Sequence, residues 1–266
     1  MLKIGLVGCG AIGSELARAV QARFSKVGRI VYLSDQNQKA ARFLAKRFKL
    51  SYQILSIPEL IRKSDFVIEA ASQNAVREIV PLALKLKKQV MILSVGGLLK
   101  IPPKIYQQSK GLLYVPSGAI GGMDALLAAR IGKIKRVTIT TRKPLRSLKD
   151  SAFFKKNQRK YNQIRKPTVI FEGNAQTATR LFPQNVNVAA TVSLAGIGPY
   201  RTKVKMIASP NYTRNTHEIE FEGSFGRIRT VTENIPSKAN PKTSALAFYS
   251  AIACFEKIFS SLKLGT

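Results

Sequence analysis

The hydrophobic positions of the first 116 residues alternate between two periods. Short apolar runs predict strands, and between them apolar side chains recur every three to four positions, the spacing of a helix face. The expected strands are residues 2–7, 29–35, 52–55, 66–70, 90–94 and 112–115, and the expected helices are residues 14–24, 38–48, 73–87 and 102–109. This alternation predicts an α/β domain with a doubly wound parallel sheet over residues 1–116.

The pattern changes after Pro116, where strand-like runs predominate. The expected strands are residues 134–141, 169–172, 202–208, 215–222 and 225–232, with helices starting at Met123 and at residues 175–181 and 186–195. Runs of strands with helices to one side predict a second, α+β domain with a largely antiparallel sheet over residues 117–240. Asn240 and Pro241 suit the cap and the first position of a helix, so residues 241–266 are expected to return to the first domain as a helix.

A glycine-rich turn joins the first strand to the first helix. Gly8, Gly10 and Gly13 have the spacing G-x-G-x-x-G. The first glycine permits a tight turn, the second lets the backbone approach a pyrophosphate, and the third lets the helix pack close to the sheet. Ala11 and Ile12 stand at the helix N-terminus, which favours an anion. The strand before the turn and the helix after it make this spacing a prediction of a Rossmann-type dinucleotide site.

Asp35 ends the second expected strand, roughly 20 residues beyond the last glycine, where a carboxylate accepts hydrogen bonds from an adenosine ribose. Its charge disfavours the 2′-phosphate of NADP, whereas the neighbouring Lys39 and Arg42 soften that preference. The sequence therefore favours NAD and leaves NADP open. Ala71 and Ser72 follow the fourth expected strand and are predicted to lie at the same carboxyl edge of the sheet, near the cofactor.

The chain is strongly basic, with 44 Lys and Arg against 14 Asp and Glu and a formal net charge of +30. Such a charge raises the question of nucleic acid or another polyanion. The basic residues are spread along the whole chain without a recognition motif, so we expect no specific nucleic-acid partner. Steering of an acidic substrate stays open. The densest basic stretch, residues 142–166, is predicted to be an exposed excursion.

Apolar runs and the first residues bear on the compartment of the protein, and its two cysteines bear on metal binding. No apolar run reaches the roughly 18 residues of a membrane span, and the first residues lack the pattern of a signal peptide. We therefore expect a cytoplasmic protein with no membrane partner. Cys9 and Cys254 form no paired motif and predict neither a disulfide framework nor a zinc site, and no metal is expected.

The single histidine of the chain, His217, lies in an alternating strand. With a period of two it shares a face with Ile219 and Phe221, so its ring is predicted to point inward. An inward histidine is often a satisfied core residue. Oxidation at an alcohol or amine carbon needs a group that exchanges protons near neutral pH, and histidine suits that task. His217 is therefore the candidate acid-base residue.

Two more segments carry candidates with an open alternative. Asn187 has an amide that both donates and accepts, which suits a nicotinamide carboxamide, but it also suits a cap of the helix that follows. The glycine-rich residues 117–122 read either as a nest of backbone amides that holds an anion or as an interdomain hinge.

Five short phrases occur together in order along the chain. They are EAASQ at residues 69–73, SGAIGG at 117–122, NVAAT at 187–191, NTHE at 215–218 and NPKTS at 240–244. Together they resemble the L-aspartate dehydrogenase family nearly from end to end. Gly97 and Ser209 depart from the pattern, since alanine and aspartate are expected there.

The resemblance implies oxidation of L-aspartate to iminoaspartate with NAD or NADP. Iminoaspartate then hydrolyses to oxaloacetate and ammonia or supplies pyridine nucleotide biosynthesis. The resemblance also implies a homodimer or larger homo-oligomer. It assigns His217 as the active-site histidine, and Ala119 and Asn187 as nicotinamide-cofactor contacts. Donors for the substrate carboxylates are expected from Ser117, Gly118 and Ile120, and from Thr140, Thr141, Arg142 or Lys143.

Two alternatives stay open. A related two-domain dehydrogenase or reductase, acting on homoserine or dihydrodipicolinate, shares this architecture. A noncatalytic NAD-binding protein that uses the basic surface to bind a polyanion belongs to a different class, and steep salt dependence of that binding would identify it.

Overall fold

A computed structural model describes residues 1–49, 51–148, 152–183, 186–237, 243–262 and 264–265. The chain divides into two compact units. The first comprises Met1–Pro116 and Phe248–Lys263, and the second comprises Ser117–Ala247 and Leu264–Thr266. Within the described ranges, no helix is long and apolar enough to cross a bilayer.

The described residues of the first unit form a six-stranded parallel sheet with the order β3-β2-β1-β4-β5-β6. Its strands are β1 (Leu2–Val7), β2 (Gly28–Ser34), β3 (Gln53–Ile54), β4 (Phe66–Glu69), β5 (Gln89–Ile92) and β6 (Leu113–Tyr114). The predicted doubly wound sheet is confirmed. Successive strands are added on one side of β1 up to β3 and on its other side from β4 onward. Between β1 and β4, where the order switches, a crevice for ligands opens beyond the carboxyl ends of the strands.

Helices of the first unit connect these strands. They are α1 (Ala11–Arg23), α2 (Gln38–Arg47), α3 (Ile57–Lys63), α4 (Gln73–Lys85) and α5 (Pro103–Gln107). The hydrophobic pattern did not predict α3, because seven residues are too few to show a helical period. A capping box formed by Ser56 and Glu59 marks its start, and this local signal was available in the sequence.

The C-terminal helix α11 (Ala245–Phe259) completes the core of the first unit from Phe248 onward. Phe255 is buried and meets Phe66 of β4 edge to face, with 5.3 Å between the ring centroids. Such aromatic pairs add to the stabilisation from burial. The predicted cap and first residue of this helix, Asn240 and Pro241, lie outside the described residues.

The described residues of the second unit form a five-stranded mixed sheet with the order β11-β10-β7-β9-β8. Its strands are β7 (Ile134–Pro144), β8 (Thr168–Asn174), β9 (Lys203–Ser209), β10 (Asn215–Gly223) and β11 (Gly226–Asn234). Only β7 and β9 run parallel among these neighbours, so the largely antiparallel sheet is confirmed. Among the helices that contribute to the hydrophobic core of this unit are α6 (Met123–Ile131), α9 (Ala175–Leu181) and α10 (Asn187–Ala195).

The prediction that residues 142–166 form an exposed excursion is wrong for much of that stretch. Its described part continues β7 and then forms two short helices, α7 (Ala152–Lys156) and α8 (Gln158–Asn162). Phe154 and Tyr161 are buried and stack with 4.7 Å between their ring centroids. Aromatic side chains between the basic residues therefore anchor the segment to the core, and charge density alone was a misleading signal.

Candidate active site

The glycine turn between β1 and α1 has the geometry that a pyrophosphate requires. Gly8 has a φ of +96°, and a Cβ there would lie 2.5 Å from the carbonyl of Ala70. A Cβ on Gly13 would collide with the carbonyl oxygen of Gly8. Gly10 caps α1, and a Cβ on it would meet nothing within 4 Å. The first and third glycines thus hold the turn, and the second leaves open the backbone that a phosphate approaches.

Asp35 braces this turn from the end of β2. One carboxylate oxygen accepts from the backbone N–H of Cys9 at 2.7 Å, and the other accepts from the N–H of Asn37 at 2.7 Å. Each oxygen keeps a further lone pair, so the same carboxylate can still accept from a ribose hydroxyl. Burial, with the charge of Asp35, raises the pKa of the Cys9 thiol to about 12, so this thiol is inert at neutral pH.

Glu69 joins the two loops that follow β4 and β5. Its side chain is completely buried and accepts from the backbone N–H groups of Ala71 at 2.8 Å, Ser94 at 2.9 Å and Leu93 at 3.2 Å. Burial raises the pKa of this carboxyl, and these hydrogen bonds oppose the shift. Sequence reasoning missed this role, although an acid at the end of an otherwise apolar strand was a visible signal.

The loops after β1, β2, β3 and β4 line a cleft of about 690 Å³ in the first unit. Five predicted cofactor residues line it: Gly8, Gly10, Asp35, Ala71 and Ser72. Ser72 also caps α4 by accepting from the N–H of Ala75 at 3.3 Å. Ala11, Ile12 and Gly13 form the first turn of α1 behind the open glycine. The size is typical of a cofactor pocket.

The charged side chains among the described lining residues are all acidic, namely Asp35, Glu59 and Glu78. This is unexpected in a chain whose basic residues outnumber its acidic residues by 44 to 14. Lys39 and Arg42, which the sequence placed near Asp35, do not line the cleft.

His217 lies on the inner face of the second sheet, as its alternation predicts, and is only 4% exposed. It stands opposite Thr141 of β7, and its Nδ1 is 3.0 Å from the Thr141 hydroxyl. Lys143 follows two positions later on the same face of β7 and is also buried. Thr141, a predicted substrate residue, and His217 are therefore brought together, although 76 positions separate them in sequence.

The inner face changes character along these strands. At one end it is apolar, with Val137 and Ile139 of β7 beside Ile219 of β10. At the other end it carries Thr141, Lys143 and His217. Burying polar groups costs free energy unless they are paired, so this polar end requires an explanation other than packing.

The charges at this polar end are unusual. Burial lowers the pKa of Lys143 to about 8. Burial, with the adjacent charge of Lys143, lowers the pKa of His217 to about 3. Both shifts arise because the charged form of each base is poorly solvated inside the protein. At neutral pH the imidazole is therefore neutral, and the lysine remains mostly an ammonium.

Two other candidates at the end of β7 face away from His217. Arg142 pairs with Glu218 at 2.9 Å on the opposite, outer face of the sheet. Thr140 is opposite Glu218 in the strand register and shares that outer face. The pleat of β7 thus separates the four donors considered from sequence, and leaves Thr141 and Lys143 on the side of the histidine.

Residues 117–122 are held against the inner end of β11. The side-chain amide of Asn234 donates to the carbonyl of Ala119 at 3.0 Å, and Gly121 N–H donates to the Thr232 hydroxyl at 3.0 Å. Thr232 is the cross-strand neighbour of His217, so the structure places this loop near the histidine. The side chain of Ile120 is buried in the core of the unit, which leaves only its backbone for a ligand.

Two amide oxygens at this end have no hydrogen-bond partner among the described residues, those of Asn215 and Asn234. Asn234 is 3% exposed, and the two residues stand opposite each other in the register of β10 and β11. A buried acceptor without a donor is costly, and such atoms are explained when a ligand supplies the donor.

Asn187 is the first residue of α10, and the cap position belongs to Val186, which makes no side-chain capping bond. The alternative interpretation of Asn187 as the cap is therefore wrong. The departure at Gly97 also has a physical reason, because a Cβ there would lie 2.6 Å from the Cβ of Val76. Ser209 accepts from the N–H of Asn211 at 3.2 Å, a local bond that aspartate also makes.

Comparison with known proteins supports the interpretation of both units. Residues 124–258 match the family described as "Aspartate dehydrogenase, C-terminal", and residues 8–110 match "Homoserine dehydrogenase, NAD binding domain". An L-aspartate dehydrogenase of Methanosarcina acetivorans is 47% identical over 275 residues, and one of Methanocella arvoryzae is 44% identical over 271 residues. Both comparisons cover 100% of each chain.

Solved structures agree with these sequence relatives. The crystal structure of aspartate dehydrogenase from Thermotoga maritima covers 100% of both chains with a TM-score of 0.74 and 25% identity. An apo scyllo-inositol dehydrogenase from Lactobacillus casei covers 100% of this chain and 90% of its own, with a TM-score of 0.54 and 14% identity, and shows a shared fold. On the full-length identities and the match of its C-terminal half, the chain belongs to the L-aspartate dehydrogenase family.

Proposed function

We propose that this enzyme oxidises L-aspartate to iminoaspartate with NAD, and that iminoaspartate hydrolyses to oxaloacetate and ammonia. The observation that carries the proposal is the buried polar group His217, Thr141 and Lys143 on an otherwise apolar sheet face, in a member of this family. The chemistry that a bound nicotinamide supplies is acceptance of a hydride from the carbon that carries the amine.

The open backbone at Gly10 and the N–H groups of Ala11 and Ile12 are proposed to hold the pyrophosphate. Asp35 is proposed to accept from the adenosine ribose. Ala71, Ser72, Ala119 and Asn187 are proposed as the other cofactor contacts, the last two for the nicotinamide end.

NAD is the proposed cofactor in preference to NADP. The first-unit cleft has Asp35, Glu59 and Glu78 among its lining residues and no described basic side chain. A 2′-phosphate would meet like charge there without a cation to balance it. Activity with NADP equal to that with NAD would contradict this preference.

His217 is proposed as the acid-base residue. Its Nδ1–H donates to the Thr141 hydroxyl in the tautomer that leaves the Nε2 lone pair free. Nε2 then takes a proton from the substrate amine, or from the water that attacks the imine carbon. Thr141 holds the ring orientation, and the backbone amides of Ser117, Gly118 and Ile120 are proposed to contact a substrate carboxylate.

An absorbance assay of nicotinamide reduction tests the activity with L-aspartate, and with oxaloacetate plus ammonia in reverse. Homoserine and dihydrodipicolinate are the matched alternative substrates, since enzymes acting on them share the architecture. We expect turnover with aspartate and at most weak turnover with the others. Failure with aspartate under both NAD and NADP would remove the proposal.

The biological setting is also a proposal. The resemblance supports a homo-oligomer in the cytoplasm whose product supplies pyridine nucleotide biosynthesis. Light scattering coupled to size-exclusion chromatography tests the assembly, and a monomer at working concentration would contradict it.

A further inference from the structure

Lys143 is a buried cation that forms no ion pair with any residue the structure describes. Its side chain is 6% exposed, and among the described residues it has no ion pair and no hydrogen-bond partner. Lysine is almost never fully buried unless it is paired. A buried ammonium without a partner carries a large desolvation cost, so its retention calls for an anion that the described residues do not provide.

The arginines on the outer face of the same sheet differ from Lys143, because they are paired. Four arginines of β7 and β11 line that face, and each pairs with a glutamate of β10. The arginines are Arg136, Arg142, Arg227 and Arg229, and the glutamates are Glu218, Glu220 and Glu222. Lys143 lies on β7 next to Arg142, yet on its own side the neighbouring strand offers neutral His217 in place of an acid.

We propose that Lys143 binds a carboxylate of the substrate and is the residue that selects an acidic amino acid. This inference rests on the proposed function and deepens it. The geometry that carries it is the placement of the ammonium two residues from Thr141 on the strand face that also presents His217. A carboxylate there completes the missing pair and gains a charge-assisted hydrogen bond in a poorly solvated site.

The arrangement links binding to chemistry. The ammonium of Lys143 adds to burial in disfavouring protonation of His217. A carboxylate on Lys143 neutralises that charge and makes the imidazole a stronger base while the substrate is bound. Binding of the carboxylate at Lys143 therefore also favours transfer of a proton to the histidine.

The test uses succinate, a dicarboxylate that lacks the amine and cannot be oxidised at a C–N bond. Its binding is measured by calorimetry on wild-type protein saturated with NAD, and on Lys143→Met and Lys143→Arg. Arg142→Met is the matched control, because it removes one positive charge from the adjacent residue on the opposite face. We expect Lys143→Met to weaken succinate binding by at least about tenfold, Lys143→Arg to retain part of it, and Arg142→Met to change it less than about twofold.

A second readout is independent of turnover. His217 is the only histidine of the chain, so its imidazole gives a single set of NMR signals in histidine-labelled protein. Succinate is expected to raise the pKa of this imidazole in the wild type and to leave it unchanged in Lys143→Met. Thermal melting of each variant shows whether it is folded.

The outcomes separate the inference from the proposed function. Wild-type affinity for succinate in folded Lys143→Met would overturn the inference, and so would a loss of kcat with unchanged KM for L-aspartate. Lys143-dependent succinate binding without any oxidation of L-aspartate would support the anion site and refute the proposed activity. Oxidation of L-aspartate by Lys143→Met with wild-type KM would support the activity and refute the role of Lys143.

Discussion

At the scale of single residues, the second sheet holds two bases whose environments oppose protonation. His217 and Lys143 share one buried face, and burial lowers the pKa of each side chain. Pairs of titratable groups with strongly shifted pKa values are typical of catalytic sites, although structural networks also produce them. Mutation of each residue tests which explanation holds here.

Replacement of His217 by alanine is expected to lower kcat by about 10²-fold or more, the usual effect of losing a positioned acid or base. NADH affinity, measured by fluorescence titration, is expected to survive. Thr141→Val is the companion variant, because it removes only the hydroxyl that holds the ring and should cause a smaller loss. Unchanged turnover in His217→Ala would show that the histidine has only a packing role.

Replacement of Lys143 by methionine is expected to stabilise the protein at pH 7. Its pKa falls from 10.5 in the unfolded chain to about 8 in the fold, so the unfolded state binds more protons between these values. Stability therefore rises with pH across that window, and below pH 8 the full penalty, roughly 3 kcal/mol, opposes folding. Urea unfolding should show a gain for Lys143→Met at pH 7 that shrinks as the pH rises from about 8 to 10.5, and no gain would contradict the burial argument.

Replacement of Asp35 by alanine is expected to shift the ratio of kcat/KM for NADP over NAD upward, because the charge that repels a 2′-phosphate is lost. The carboxylate also braces the glycine turn through Cys9 N–H. Asp35→Asn is the control, since it removes the charge and keeps an acceptor oxygen. An unchanged ratio in both variants would mean that another residue reads the ribose.

At the scale of elements, Glu69 couples the ends of β4 and β5. One buried carboxylate accepts from three backbone N–H groups in the two following loops. The spacing of glycines and the pattern of strands did not predict this junction, because it depends on two segments that are neighbours only in the folded sheet.

Glu69→Gln is expected to lower NADH affinity about tenfold and to destabilise the first unit, because an amide N–H₂ would face backbone donors in a buried site. Fluorescence titration and urea unfolding measure the two effects. Glu78→Gln makes the same change at an exposed position that lines the first-unit cleft, and it should leave stability unchanged. Equal behaviour of the two variants would argue against Glu69 as a positioning residue.

At the scale of the whole molecule, the charges that give a net +30 are unevenly distributed. The first-unit cleft has no basic side chain among its described lining residues, and arginines on the outer face of the second sheet form ion pairs with glutamates. We expect only weak, nonspecific association with a DNA duplex, measured by fluorescence anisotropy at 50 and 200 mM salt. Tight binding with a steep salt dependence would favour the noncatalytic polyanion-binding alternative.

The sequence by itself determined the parallel sheet of the first unit, the glycine turn and the inward side of His217. Each of these depends on a local period or spacing that neighbouring residues carry. The prediction from sequence failed for residues 142–166, because it considered the density of charge and not the aromatic side chains, of which Phe154 and Tyr161 are buried.

Only the tertiary structure decided which polar residues meet. The pairing of β7 with β10 places Thr141 opposite His217, and the pleat turns Lys143 toward the histidine while it turns Arg142 toward Glu218. These contacts join positions far apart in the chain, and a shift of one residue in register would exchange the two faces. Local pattern fixes which side a residue takes, whereas its partners and its desolvation depend on the packed sheet.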